Sequence, residues 1–181
     1  MYQIKVKDWR KIPLKNLEFI LNQAEVHLKY TLDISDKITT RFYTTLVILV
    51  GLFTAGIGYF SNEYSAYGVV YNNKYYINLS FLIILLIKIF FFVYNISPRK
   101  FMGLGRSPHE LANINLLQPI EDITEEEQYK SLLIGEINNL EIKLEYNTKQ
   151  NQSRLLILKR LIYSIVLLAT TYLILYQLLV L

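Results

Sequence analysis

The chain has no cysteine, which rules out disulfides, thiolate zinc sites and cysteine nucleophiles. Its histidines are two, His27 and His109, and neither stands at metal-ligand spacing with a carboxylate partner, so no metal site is expected. No nucleophile elbow, HExxH or Walker sequence occurs. Gly103-Leu104-Gly105-Arg106-Ser107 has the look of a phosphate-loop fragment but lacks the preceding strand and the further glycines. The acidic group Glu121, Asp122, Glu125, Glu126 and Glu127 falls at a predicted helix start, where negative charge complements the dipole without any catalytic role. Neither an enzyme nor a cofactor is expected. The charged beginning, MYQIKVKDWRKIP, is not followed by a short apolar run and a small-residue cleavage site, so no cleaved signal peptide is expected.

Charge is also scarce in three long blocks, at about 42–60, 77–97 and 161–181, where Lys88 is the one charged side chain and into which most of the hydrophobicity is gathered. Overall, 52% of the 181 residues are hydrophobic and the mean hydropathy is +0.26, high for a soluble domain. A hydrocarbon core about 30 Å thick takes roughly 20 apolar residues of helix, and each block is close to that length. The last, LIYSIVLLATTYLILYQLLVL, is apolar all the way round and has no face to offer water. The expected fold is therefore an all-α integral membrane protein with about three transmembrane helices and long cytoplasmic helical extensions. Its order is a cytoplasmic amphipathic helix over 1–41, a first span over 42–60, an outer loop over 61–76, a second span over 77–97, a cytoplasmic turn-rich segment and long helix over 98–160, and a third span over 161–181.

Orientation follows from the basic residues. Of the 19 Lys and Arg, eight precede the first block, one (Lys74) lies between the first two, and nine lie between the second and third. The positive-inside rule then puts the N-terminus and the 98–160 segment in the cytoplasm, and the short loop and the C-terminus outside. Five tyrosines in the loop, Tyr64, Tyr67, Tyr71, Tyr75 and Tyr76, suit an interfacial aromatic belt, with a small hairpin turning at Asn72 and Asn73. The net charge of +4 is accounted for by topology and lipid head groups, and nucleic-acid binding is not expected.

Leu14, Leu17, Leu21, Ala24, Leu28, Thr31, Ser35 and Ile38 recur at alternating steps of three and four, one stripe of a helix running without a breaker from Pro13 into the first span. A rod of this kind can couple cytoplasmic events to movement in the bilayer. Ser107 with Glu110 predicts a capped short helix over 108–116, closed by Pro119, and Thr124 with Glu127 predicts the capped start of a long one. The long helix carries Tyr129, Leu133, Ile137, Leu140 and Leu144 on its stripe. That stripe turns polar at Asn147, Asn151 and Arg154, which either fix helix register and oligomer state or line a wet vestibule. Within the second block Lys88 is costly, at roughly 3 kcal/mol or more. It must face a water-filled oligomer interior, pair with a partner's carboxylate, or snorkel past Ser97, roughly 13 Å further along. In the first block Gly51 with Ala55, and Thr54 with Gly58, form small-xxx-small pairs that favour self-association.

The stretches LNQAEVHLKYTLDISDKITTRFYTTLVILVGL and EINNLEIKLEYNTKQNQSRLLILKRLIYSIVLLA, with Asn147, Asn151 and Arg154 just upstream of the last span, resemble the small transmembrane effectors of bacterial anti-phage defence. These are the SLATT-type and related proteins that accompany cyclic-nucleotide signalling in CBASS and Pycsar operons. The resemblance implies a homo-oligomeric, multi-pass effector of the cell inner membrane that disturbs that membrane once a cyclic nucleotide or a soluble protein triggers its cytoplasmic helices. Candidates for contact with an anionic ligand or with lipid phosphate are Arg99, Lys100, Arg106 and His109. A constitutive channel or membrane-complex subunit, and a structural scaffold docking a soluble partner, remain as alternatives.

Overall fold

In the computed structural model the structure describes residues 8–67, 73–96, 100–105, 118 and 122–180, the side chains of 65–67, 179 and 180 excepted. Three long helices dominate: α1 (Leu14–Tyr67), α2 (Asn73–Ile96) and α3 (Glu125–Val180). Among the described residues there is no strand. All three are long and apolar enough to cross a membrane, in agreement with the three blocks. The proposed short helix over 108–116, its Ser107–Glu110 cap and Pro119 lie outside the described residues.

Each helix begins where its local chemistry dictates. A short 3₁₀ turn, Trp9–Lys11, ends at Ile12, and after Pro13 the first turn of α1 closes when Asn16 N–H donates to the Pro13 carbonyl at 3.0 Å. The capping box of α3 forms as the sequence suggests. Thr124 N–H donates to Glu127 Oε2 at 3.0 Å, and Glu127 N–H returns a bond to Thr124 Oγ1 at 3.3 Å. These bonds, given first by the Thr124 backbone, hold the Glu127 carboxyl below the usual glutamate range.

The short connection between the first two blocks is more helical than its tyrosines and asparagines suggested. α1 persists through Tyr67 and α2 opens at Asn73, so 61–67 and 73–76 are helix, and Asn73 starts a helix instead of turning a hairpin. The physical reason is burial: Tyr64 and Tyr75 stack edge-on at 5.2 Å and both pack on Phe60, which keeps the helical ends ordered past the apolar run.

The chain divides into two compact units, the first made of 1–35 with 100–151 and the second of 36–99 with 152–181. In the first, Leu17 packs on Leu133 and Ile137, with Ile12, Leu14, Leu21 and Ile134 around them. Burying each such side chain is worth about 2 kcal/mol. Every member of the Leu14–Ser35 stripe is buried or half-buried. On α3 one position departs from expectation: Tyr129 is 44% exposed, and Lys130 takes the inward place at 8%. Its stem can lie among apolar groups because its ammonium reaches the Arg10 carbonyl at 3.1 Å and Glu126 at 2.8 Å.

The second unit packs α1, α2 and α3 around Phe42, Leu49, Leu82, Leu85 and Phe92. Phe42 and Phe92 meet edge to face at 5.8 Å. Its outward surface is largely apolar, and several threonine hydroxyls there are turned back onto their own helix. Thr44, Thr45 and Thr54 each donate to the carbonyl four residues earlier, at 3.0, 2.8 and 2.9 Å, so these three hydroxyls need no water.

Candidate functional site

In the first unit the polar end of the α3 stripe becomes a clasp. Asn147, 0% exposed, accepts from Met102 N–H at 3.0 Å and donates to Met102 C=O at 2.9 Å, pairing with that residue as a neighbouring strand would. It also approaches Thr31 Oγ1 at 3.5 Å. Asn151 donates to the Thr31 carbonyl at 2.8 Å, and Thr31 spends its own hydroxyl on Leu28 C=O at 2.7 Å. Two amides one turn apart on α3 thus address one residue of α1, which only a single offset of the helices allows. Lys143 adds bonds to the carbonyls of Gly103 (3.0 Å) and Gly105 (2.6 Å). Gly105 has φ +73°, a left-handed conformation that favours glycine. Residues 100–105 are therefore held to α3 by backbone groups, whatever their side chains.

The second unit carries Arg154, also buried. Its guanidinium donates to Thr39 Oγ1 at 2.8 Å and lies 6.0 Å from the centre of the Phe42 ring. Lys88 donates to Ser164 Oγ at 2.9 Å, and Ser164 donates onward to the Leu161 carbonyl at 2.7 Å. The lysine is thus tied to α3 only one helical turn past Arg160. At the other end of the three helices sits a polar layer: Glu63 pairs with Lys74, Tyr59 and Tyr176 hydroxyls stand 3.4 Å apart, and Tyr172 donates to Asn78 Oδ1 at 2.8 Å.

Comparison with protein-family models, with characterised proteins and with solved structures finds no match to this chain. The site residues therefore stand on their geometry alone.

Among the described residues the four small residues of the first span face away from the other helices. A Cβ added at Gly51 or Gly58 would meet nothing within 4 Å, and Thr54 and Ala55 are exposed. The close approach is at Gly56 instead, where an added Cβ would stand 2.8 Å from Leu82 Cδ2. Gly56 lies on the stripe that faces α2, and the spacing pattern picked its neighbours because two pairs fitted there and none included it. Lys100 is exposed, while Arg99, Arg106 and His109 lie outside the described residues. The Glu63–Lys74 layer was missed as a unit. Its signal was the presence of one acidic and one basic residue in the segment 61–76, on either side of the turn.

Among the described residues no group of three or more His, Asp or Glu side chains could hold a metal ion. The clasp and the Lys88–Ser164 contact are positioning arrangements: they can hold a helix offset and place a charge.

Proposed function

We propose that this chain is a three-span inner-membrane protein, N-terminus in the cytoplasm and C-terminus outside, that assembles into an oligomeric effector able to breach the membrane when its cytoplasmic helices are triggered. The observation that carries the reading is exposure. In the most apolar stretches of α1, α2 and α3, only 6, 17 and 6% of residues are buried by the chain itself. That much apolar surface needs lipid or further copies of the chain to cover it. The outward Gly51–Ala55 and Thr54–Gly58 pairs offer a close-packing face that the chain's own helices leave free, which supports the second kind of cover.

The first unit is the candidate receiver of the trigger. Its clasp on Met102 defines one arrangement, and a ligand binding another arrangement more tightly would shift the population toward it. The resemblance to anti-phage effectors supplies the setting: a cyclic nucleotide or a soluble partner as trigger, and arrest of the infected cell as outcome.

Reconstitution tests this. Purified chain in dye-loaded liposomes should leave them sealed until a cyclic nucleotide or the trigger protein is added. Leakage without any addition would replace the effector by a constitutive channel. Stable capture of a soluble partner without leakage would replace it by a scaffold. Recovery of the chain as a compact particle without detergent would end the membrane reading altogether.

A further inference from the structure

The second unit holds eight Lys and Arg but only two acidic side chains, Asp36 and Glu63. Glu63 is committed to Lys74 at the far end. Neither α2 nor the part of α3 in this unit contains a carboxylate. Lys88 accordingly bonds a neutral hydroxyl, and its charge has no counter-ion among the described residues.

Lys88 also stands one helical turn from the Ile84 end of a groove between α2 and α3. Ile77, Phe81, Ile84 and Lys88 follow at steps of four, three and four on α2, and Ser164, Leu168 and Tyr172 follow at steps of four on α3. Starting one turn beyond the Lys88–Ser164 bond, the two stripes enclose an open-sided apolar groove of about 250 Å³, with Ile77, Phe81, Ile84, Leu168 and Tyr172 in its walls. Along α2 the distance from Lys88 to Ile77 is about 16 Å at 1.5 Å per residue. One leaflet of hydrocarbon is about 15 Å, half of the ~30 Å core. A cation at one end and an apolar run one leaflet long match a phosphate and the acyl chain hanging from it.

We propose that the α2–α3 trough is a binding site for one anionic phospholipid of the leaflet nearer Arg160, its phosphate on the Lys88 ammonium and one acyl chain in the groove. A second copy is the other conceivable occupant, but it would bring no carboxylate to this depth, since the three spans carry none and Glu63 lies beyond the first of them at the opposite end. A lipid brings the missing charge. Net negative head groups are preferred over zwitterionic ones because the unit already has cations in excess. The proposal rests on the chain crossing a membrane and not on what it does there.

The test uses the full chain in detergent, incubated with equal amounts of phosphatidylglycerol and phosphatidylcholine of matched acyl chains and read by native mass spectrometry. The anionic lipid should be retained about fivefold over the zwitterionic one, the preference of one near-surface cation. Lys88→Gln, which can still bond Ser164, should bring the ratio close to one, and Lys88→Arg should restore it. Leu168→Trp, which fills the groove, should lower retention of both lipids. An unchanged ratio in Lys88→Gln would overturn the site. So would disulfide formation between chains in membranes when Ser80→Cys and Thr171→Cys are combined, because it would put a second copy in the groove. A chain recovered without detergent would instead show itself before any lipid is added, and would count against the membrane reading.

Discussion

Replacing Asn147 by leucine should release residues 100–105 while leaving the helices standing. The side chain is fully buried and serves both backbone groups of Met102, at 3.0 and 2.9 Å. Leucine has nearly the same volume but offers neither donor nor acceptor. An orphaned buried backbone group costs about 1–3 kcal/mol. Met102 itself is 38% exposed, so water can reach part of the deficit, and the lower end of the range applies to each group. Two groups then give roughly 2 kcal/mol, or about a 30-fold rise in the population of the locally opened segment. Hydrogen exchange on the detergent-solubilised chain reads this directly, because Met102 N–H should lose about that factor of protection while amides near Leu133 and Ile137 keep theirs. Asn147→Asp, which keeps the acceptor for Met102 N–H but sets a carboxylate against Met102 C=O, should be no better than leucine. If Met102 exchange is the same in all three proteins, the clasp does not hold the segment and the account of its role is wrong.

Other perturbations separate the remaining contacts. Gly56→Leu should cost about 1–3 kcal/mol through overpacking on Leu82, seen as a lower Tm, whereas Gly56→Ala should be near neutral, since the Leu82 methyl can yield. Gly51 and Gly58 are exposed and an added Cβ at either meets nothing within 4 Å, so Gly51→Leu and Gly58→Leu should spare the monomer and weaken the proposed self-association, which size measurement in detergent would report. Thr39→Val takes an acceptor from the buried Arg154 guanidinium and should destabilise by about 1.5–3 kcal/mol in thermal unfolding. The Glu127 carboxyl titrates below its unfolded value, so its contribution is complete above the ordinary glutamate range and disappears as pH falls through the lower folded value. Acidification across that window should fray the start of α3, measurable by exchange at Glu125–Gln128, and Glu127→Gln should remove the pH dependence while keeping much of the cap.

How much of this was legible in the residues depends on whether the information was local. Block lengths and the absence of charge were enough for three long apolar helices, because that signal accumulates over some twenty positions. Thr124 and Glu127 marked the start of α3 because a cap is written within four residues. The Leu14–Ser35 stripe was visible for the same reason. What a single sequence does not show is which stripe meets which. Asn147 and Asn151 stood out as polar on an apolar face, yet Met102 and Thr31, 45 and 116–120 positions away, could not be named as their partners. Lys88 looked stranded in the middle of its block, and only the bond to Ser164 shows that it is level with the beginning of the third apolar run. Gly56 and the Glu63–Lys74 pair depend likewise on how helices rotate against each other.

The apolar surface of the second unit does not stop at the Lys88–Ser164 contact. On α2, Phe90, Phe91 and Val93 are exposed beyond Lys88, and from Lys74 to Val93 is about 28 Å along the helix. That is close to the ~30 Å of a bilayer core. In a chain that crosses a membrane as proposed, a head group held by Lys88 would sit about 7 Å below its neighbours, a dimple confined to the side of the protein where α2 meets α3.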